Sequence, residues 1–168
     1  MFGPNTITRL SSNVTYCHRD SEFFKLYNKL QEKFTRKFGL EHYDILFLPG
    51  SGTTGIEALF FSLKNKIHVI GHDGKFTQRW EKLGQLYNDK KLGSEEKLFC
   101  QLETSLSKVY SKRNCIVDAV SAFPYYDIPD DTKAFVTSGN KILGSVPGLA
   151  ILCIKKQSSL EFISNEVM

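Results

Sequence analysis

The sequence predicts an α/β fold: a three-layer α/β/α arrangement around a mostly parallel sheet. Three observations carry this. Short apolar runs alternate with segments of helical periodicity along the chain. One run, residues 44–48, passes through a glycine-rich turn directly into a helix-forming segment. Two further runs, Cys115-Ile116-Val117 and Ala134-Phe135-Val136, end in Asp118 and in Thr137-Ser138-Gly139-Asn140-Lys141. Ligands of open α/β sheets sit outside the carboxyl ends of the strands. Asp118 and Lys141 are therefore expected at one sheet edge.

An acid and a lysine so placed suit pyridoxal 5'-phosphate (PLP): the lysine forms an imine and the carboxylate keeps the pyridine nitrogen protonated. The same two residues also read as a strand-end cap and a solvated lysine.

The 168 residues suffice for one domain with a real core. Their 41% hydrophobic and 24% charged content is ordinary for a globular protein. A net charge of +4, with basic residues interspersed among acidic ones, argues against a nucleic-acid partner. The four cysteines show neither CxxC nor metal-ligand spacing, so no metal is expected. The start, MFGPNTITRL, lacks the pattern of a signal peptide, and no segment is long and apolar enough to span a membrane. A reduced cytoplasmic protein is the expectation.

Residues 1–20 read as an extended lead-in that ends in the basic pair His18-Arg19. Asp20 or Ser21 can cap the following helix, whose stripe is Phe23, Tyr27, Leu30, Phe34 and Phe38, widened by Phe24 and Leu26. Gly39 terminates it. This stripe is read as core or subunit interface.

Strand 44–48 runs into Pro49-Gly50-Ser51-Gly52-Thr53-Thr54-Gly55 and then a helix over 56–63. Strand, glycine turn and helix form an anion cradle, where free N–H groups and the helix dipole meet a phosphate and the Ser51 and Thr53 hydroxyls add bonds. Gly50, Gly52 and Gly55 also satisfy GxGxxG. With strand 66–70 and Asp73, 18 residues beyond Gly55, they match a dinucleotide-binding fingerprint.

A helix is expected from Gly74 to about Tyr87, with Phe76 able to lie flat on a ring above the glycine turn. Residues 88–97 read as a polar surface loop, and 98–102 as a third strand followed by Glu103-Thr104-Ser105. A short basic link over 108–114 precedes the Cys115 run. Pro147-Gly148 turns into a last strand over 149–154, and the end of the chain reads as exposed or loosely helical.

Taken in order, these residues resemble the class V, fold-type I PLP-dependent aminotransferases, most closely the 2-aminoethylphosphonate–pyruvate and alanine–glyoxylate branches. The resemblance rests on Gly3-Pro4, His18-Arg19 with Glu22-Phe23, Pro49-Gly50-Ser51-Gly52-Thr53 with Glu57-Ala58, and Gly74-Lys75-Phe76 with Arg79. It continues through Glu103-Thr104-Ser105, Val117-Asp118-Ala119-Val120-Ser121, Ser138-Gly139-Asn140-Lys141 and Val146-Pro147-Gly148. It implies Lys141 as the imine-forming lysine, Asp118 on the pyridine nitrogen and Phe76 stacked on the ring. Ser51, Gly52 and Thr53 match the phosphate turn, Thr104 the hydroxyl near the ring oxygen, and Ser138 and Asn140 the residues leading into the lysine. His18 and Arg19 are the candidates for gripping substrate.

The resemblance further implies a small-molecule amino donor, an oxo-acid acceptor and a homodimer. It divides the chain into the lead-in 1–20, a shortened large domain 21–156 and a tail 157–168. Family members are longer, carrying a second domain that supplies a substrate-binding arginine. The segment around 87–98 reads as shortened, and Ser107 stands where the family often has Thr-Gly. Two alternatives follow: a catalytically reduced PLP-binding remnant or partner subunit, and a nucleotide-binding module using residues 50–55 and Asp73.

Overall fold

The computed structural model describes residues 17–71 and 73–163. Gly3-Pro4 and most of the lead-in lie outside them, as do the last five residues. Three α-helices are described: α1 (Ser21–Phe38), α2 (Gly52–Ser62) and α3 (Lys75–Tyr87). The strands are β1 (Tyr43–Pro49), β2 (Lys66–Val69), β3 (Glu95–Cys100), β4 (Leu102–Glu103), β5 (Lys108–Val109), β6 (Ile116–Asp118), β7 (Ala134–Ser138) and β8 (Leu149–Lys155).

Six strands form one sheet in the order β1-β8-β7-β6-β3-β2, while β4 and β5 pair separately. Strands β2, β3, β6 and β7 run parallel; β8 is antiparallel to both of its neighbours, β7 and β1. The sheet is therefore mostly parallel, as expected.

Strand alternation divides the core in two. Phe99, Val117, Phe135, Ile151 and Cys153 pack with Phe34 of α1, whereas Leu98, Ile116, Ala134, Val136 and Leu152 pack with Ile56, Leu59 and Phe60 of α2 and Trp80 of α3. This is the three-layer arrangement.

Glu22 in the first turn of α1, and Arg36 and Lys37 in its last, complement the helix dipole; Gly39 closes it in the left-handed conformation at φ 64°. Its aromatic stripe divides along its length. Phe34 and Phe38 stack within the core, with centroids 4.8 Å apart and 6.0 and 5.0 Å from Phe123, whereas Phe24, Leu26 and Leu30 remain exposed.

Three expectations are corrected. Residues 88–97 are not one surface loop: a 3-10 turn covers Asn88–Lys90, and β3 begins at Glu95. Glu96 is buried because Lys133, 37 residues away, pairs with it at 2.6 Å; Lys91 is buried with its ammonium donating to the Asn65 carbonyl at 3.1 Å. The third strand also stops earlier than expected, at Cys100. Gln101 donates its backbone N–H to the Asp118 carbonyl and its side-chain amide to the Asp127 carbonyl, and the chain beyond it pairs with β5. The described part of the tail is not helical. Leu160 is buried, and Phe162 bridges to Leu63.

Candidate functional site

Cys100, Asp118 and Ser138 end three adjacent parallel strands at one edge of the sheet. Outside this edge lies a pocket of about 180 Å³. The start of α2 forms one wall through Ser51, Gly52 and Thr53, and α3 forms another through Phe76 and Trp80. Asp118, Val120 and Ser121 follow β6; Ser138, Asn140 and Lys141 follow β7; Cys100 and Leu102 complete the lining. A larger hollow, about 1050 Å³, lies at the opposite edge among Arg113, Asp127, Asp130, Asp131 and Lys155. Volume alone does not select a site. The smaller pocket joins a helix N-terminus, a buried carboxylate and a lysine.

Helix α2 starts with a reciprocal cap: the Thr54 N–H donates to Ser51 Oγ (3.3 Å) and the Ser51 N–H to Thr54 Oγ1 (3.1 Å). The Gly52 and Thr53 N–H groups precede the first N–H that can bond within the helix, so they remain available at the pocket. Gly52 is required by packing. A Cβ there would lie 2.4 Å from Val120 Cγ2 and 2.8 Å from Val120 Cγ1. The Gly50 N–H donates to the Gly148 carbonyl at 2.8 Å, tying the glycine turn to the Pro147-Gly148 turn.

Asp118 is 3% exposed. Its Oδ2 accepts from Trp80 Nε1 at 2.8 Å and its Oδ1 from the Val120 N–H at 3.0 Å. Among the described residues no cation forms an ion pair with it. Burial pushes its carboxyl above the usual carboxylate range, opposed by the Val120, Trp80 and Cys100 donors. Burial, followed by the Asp118 and Glu103 charges, raises the neighbouring Cys100 thiol. Ser138 is 1% exposed, and its hydroxyl has no hydrogen-bond partner among the described residues. Lys141 sits exposed in the turn beyond β7, at the rim. Among the described residues lining the pocket, Lys141 is the one cation and Asp118 the one anion.

Helix α3 is held from outside itself. Its N-cap, Gly74, has no side chain, and the buried Glu103 carboxylate takes that place. Glu103 Oε2 accepts from the Thr77 N–H (3.2 Å) and Oγ1 (3.3 Å), and Oε1 from Ser105 Oγ (2.5 Å). Ser105 Oγ in turn accepts from the Lys75 N–H at 2.9 Å. Burial alone would raise the Glu103 carboxyl; the Ser105 hydroxyl and the Thr77, Phe76 and Ser105 N–H groups outweigh it and hold it below the usual range. A Cβ on Gly74 would stand 2.0 Å from Glu103 Cδ.

The structure thus gathers Ser51, Gly52, Thr53, Phe76, Asp118, Ser138, Asn140 and Lys141 around one pocket. Thr104 is exposed in the β4–β5 turn and does not line it; its neighbours Glu103 and Ser105 cap α3 instead. His18 and Arg19 lie exposed in the turn before α1, outside the pocket. Asp73 is exposed before α3 and also outside it, and Gly55 packs inside α2, where a Cβ would meet Val136 at 2.7 Å. Sequence reasoning missed Trp80, Cys100 and Glu103. A helix start with glycine, which has no side-chain acceptor, at the cap was the available signal for Glu103.

No family model matches the chain. Against known structures, the alanine–glyoxylate aminotransferase of Nostoc sp. superposes with a TM-score of 0.77 at 16% identity, covering 92% of this chain and 51% of that one. The pyridoxamine–pyruvate aminotransferase of Mesorhizobium loti gives 0.71 at 22% identity, covering 93% and 49%. The chain has the aminotransferase fold. An uncharacterized aminotransferase of Helicobacter pylori is 33% identical over 73 residues, 44% of this chain and 19% of that protein. The chain spans about half the length of the solved aminotransferases and about a fifth of this curated relative. The resemblance read from the sequence and the α/β architecture are both borne out at the level of fold. Among the described residues no helix is long and apolar enough to cross a membrane.

Proposed function

We propose that this chain binds PLP in the pocket at the carboxyl edge of β6 and β7 and serves transfer of an amino group to a 2-oxo acid. The donor class is an amino acid or aminoalkylphosphonate. One observation carries the reading: Asp118, a buried carboxylate with no cationic partner among the described residues, shares its sheet edge with a lysine and a helix N-terminus. Burying a charge without a partner is expensive. A ring N–H⁺ supplies the partner.

The remaining lining fits the same group. The Gly52 and Thr53 N–H groups and the unpartnered Ser138 hydroxyl suit a phosphate. Phe76 offers an aromatic wall to the same pocket. When bound, PLP supplies an aldehyde that condenses with an amine and a ring that withdraws electrons. Lys141 Nζ would be the amine that holds it and, when free of it, the base that could carry a proton from the donor carbon to the bound group. Asp118 would hold a ring-nitrogen proton in place, and its burial would exclude the water that weakens such a contact.

A homodimer, implied by the family resemblance, is supported by Phe24, Leu26 and Leu30, which α1 leaves exposed. A second reading, cofactor binding without turnover, is favoured by the single cation in the pocket lining, which leaves the substrate carboxylate without a partner there.

Mixing the protein with PLP is expected to give a visible band that borohydride bleaches, with the reduced label on Lys141 by peptide mapping. Lys141→Ala should lose both. A folded wild-type protein with no reducible band, or a label elsewhere, overturns the proposal. An amino-donor and oxo-acid panel then separates transamination from binding alone.

A further inference from the structure

We infer that Trp80 is the positioning residue for Asp118, clamping its carboxylate so that the unfilled acceptor sites face the pocket. The inference rests on the pocket being the PLP site and on the geometry of α3. Glu103 caps the helix from β4, which sets the helix start against the strand edge. Phe76 and Trp80 are four residues apart and so share a helix face; both line the pocket, their rings 6.5 Å apart and tilted by 35°. Trp80 is 1% exposed, and its one polar atom must find a partner inside the protein. That partner is Asp118 Oδ2, at 2.8 Å.

The consequence is rotational. A carboxylate turns broadly about its last torsion. Here the indole N–H holds one oxygen and the Val120 N–H the other, from different elements, so the plane is fixed. A carboxylate has about four acceptor sites, so the Trp80, Val120 and Cys100 donors leave room for a further hydrogen bond. A group in the pocket therefore meets a preset acceptor. The titratable groups around it are the Cys100 thiol on β3, the Glu103 carboxylate on β4 and the Lys141 ammonium at the rim. Cys100 favours the ionised carboxylate and Glu103 opposes it; the indole joins Val120 and Cys100 on the side of the ionised form, against burial, which outweighs them.

Because Trp80 is the chain's only tryptophan, its indole N–H gives a single, assigned NMR signal. In the ligand-free wild type, that signal and the Asp118 side-chain carbon should titrate through one common pH midpoint. An indole signal unmoved through the carboxyl titration overturns the inference, and needs no variant to fold. Trp80→Phe removes the donor and should raise the Asp118 midpoint and weaken PLP by about ten- to a hundredfold, the range carried by one hydrogen bond to a charged group. Trp80→His, whose Nε2 overlays the indole nitrogen, should restore both. A tryptophan that only fills the core would lower stability in Trp80→Phe while leaving the midpoint and the PLP affinity unchanged, and that result also overturns the inference. Joint titration in a wild type that binds no PLP would instead uphold the clamp and fail the cofactor reading.

Discussion

Replacing Glu103 by glutamine probes how α3, and with it Phe76 and Trp80, is held over the site. The wild-type carboxylate is fully buried, and only donors face it: the Thr77 N–H and hydroxyl at one oxygen, the Ser105 hydroxyl and N–H at the other. Glutamine keeps the shape but puts an NH2 group at one of those oxygens, against a backbone N–H in either orientation. One orphaned buried donor costs about 1–3 kcal/mol, and the lost charge at a helix N-terminus about 0.3–1 more. The sum, about 1–4 kcal/mol, lowers Tm by roughly 3–16 °C for a chain of this size. The effect has a pH signature. The folded protein holds the Glu103 carboxyl below its ordinary range, so the stability it adds is fully present above the unfolded value, about 4.3, and is lost as pH falls through the folded one. Asp118 runs the other way: its raised carboxyl makes burial of the charge more costly as pH rises. Burial, the largest cause of that shift, is common to both proteins, and the Glu103 charge, the last of its causes, is the only part the substitution removes. Thermal melts followed by Trp80 fluorescence between about pH 3 and 8 should show the gap widest near neutrality and closing below about pH 4. A neutral-pH Tm within about 1 °C of wild type, or a gap unchanged in acid, would refute the cap.

Two other substitutions test a close contact at the pocket and a buried ion pair at the amino ends of the strands. Gly52→Ala places a Cβ against Val120 and should cost about 1–3 kcal/mol while weakening PLP. Adding Val120→Ala should recover much of that loss; strict additivity of the two changes would contradict the contact. Lys133→Met strands the buried Glu96 carboxylate with only the Ser159 hydroxyl at 3.3 Å, an expected loss of about 3–5 kcal/mol in denaturant melts. Replacing Glu96 by leucine as well should return most of it, whereas two equally unstable proteins would show that the ion pair is not the cause.

The fold was legible where the signal is local. The stripe ending at Phe34 and Phe38, the turn over residues 49–55 and the apolar runs around Val117 and Phe135 lie within short windows, and each became the expected kind of element. Asp118 and Lys141 could be placed on one edge because parallel strands put their carboxyl ends together. The unread features depend on partners far along the chain. Trp80 finds Asp118 38 residues away, Thr77 finds Glu103 26 away and Glu96 finds Lys133 37 away. In sequence these are an indole in an amphipathic helix and charges in polar stretches, and nothing local distinguishes them from solvated ones. Cys100 escaped notice for the opposite reason. It reads as a buried apolar residue and is one, but the strand register sets it directly beside Asp118.

The charge inventory separates two functions that the fold alone joins. Holding PLP asks for an anion at the ring nitrogen, donors at the phosphate and one amine, and the pocket lining offers all three. Transamination asks more. The amine must leave the cofactor to move a proton, and the substrate carboxylate needs a second cation while it does so. Lys141 cannot serve both ends at once, Arg79 is exposed on α3 outside the lining, and Arg19 stands before α1. Turnover therefore requires a guanidinium or ammonium delivered to this pocket from beyond its described lining, and a second copy of the chain is one source. If a second copy supplies it, labelling of Lys141 should be independent of protein concentration, while amino transfer should rise faster than linearly across the dimerisation range. Strictly proportional transfer at concentrations where the protein is monomeric would show that one chain suffices and that the cation comes from within it.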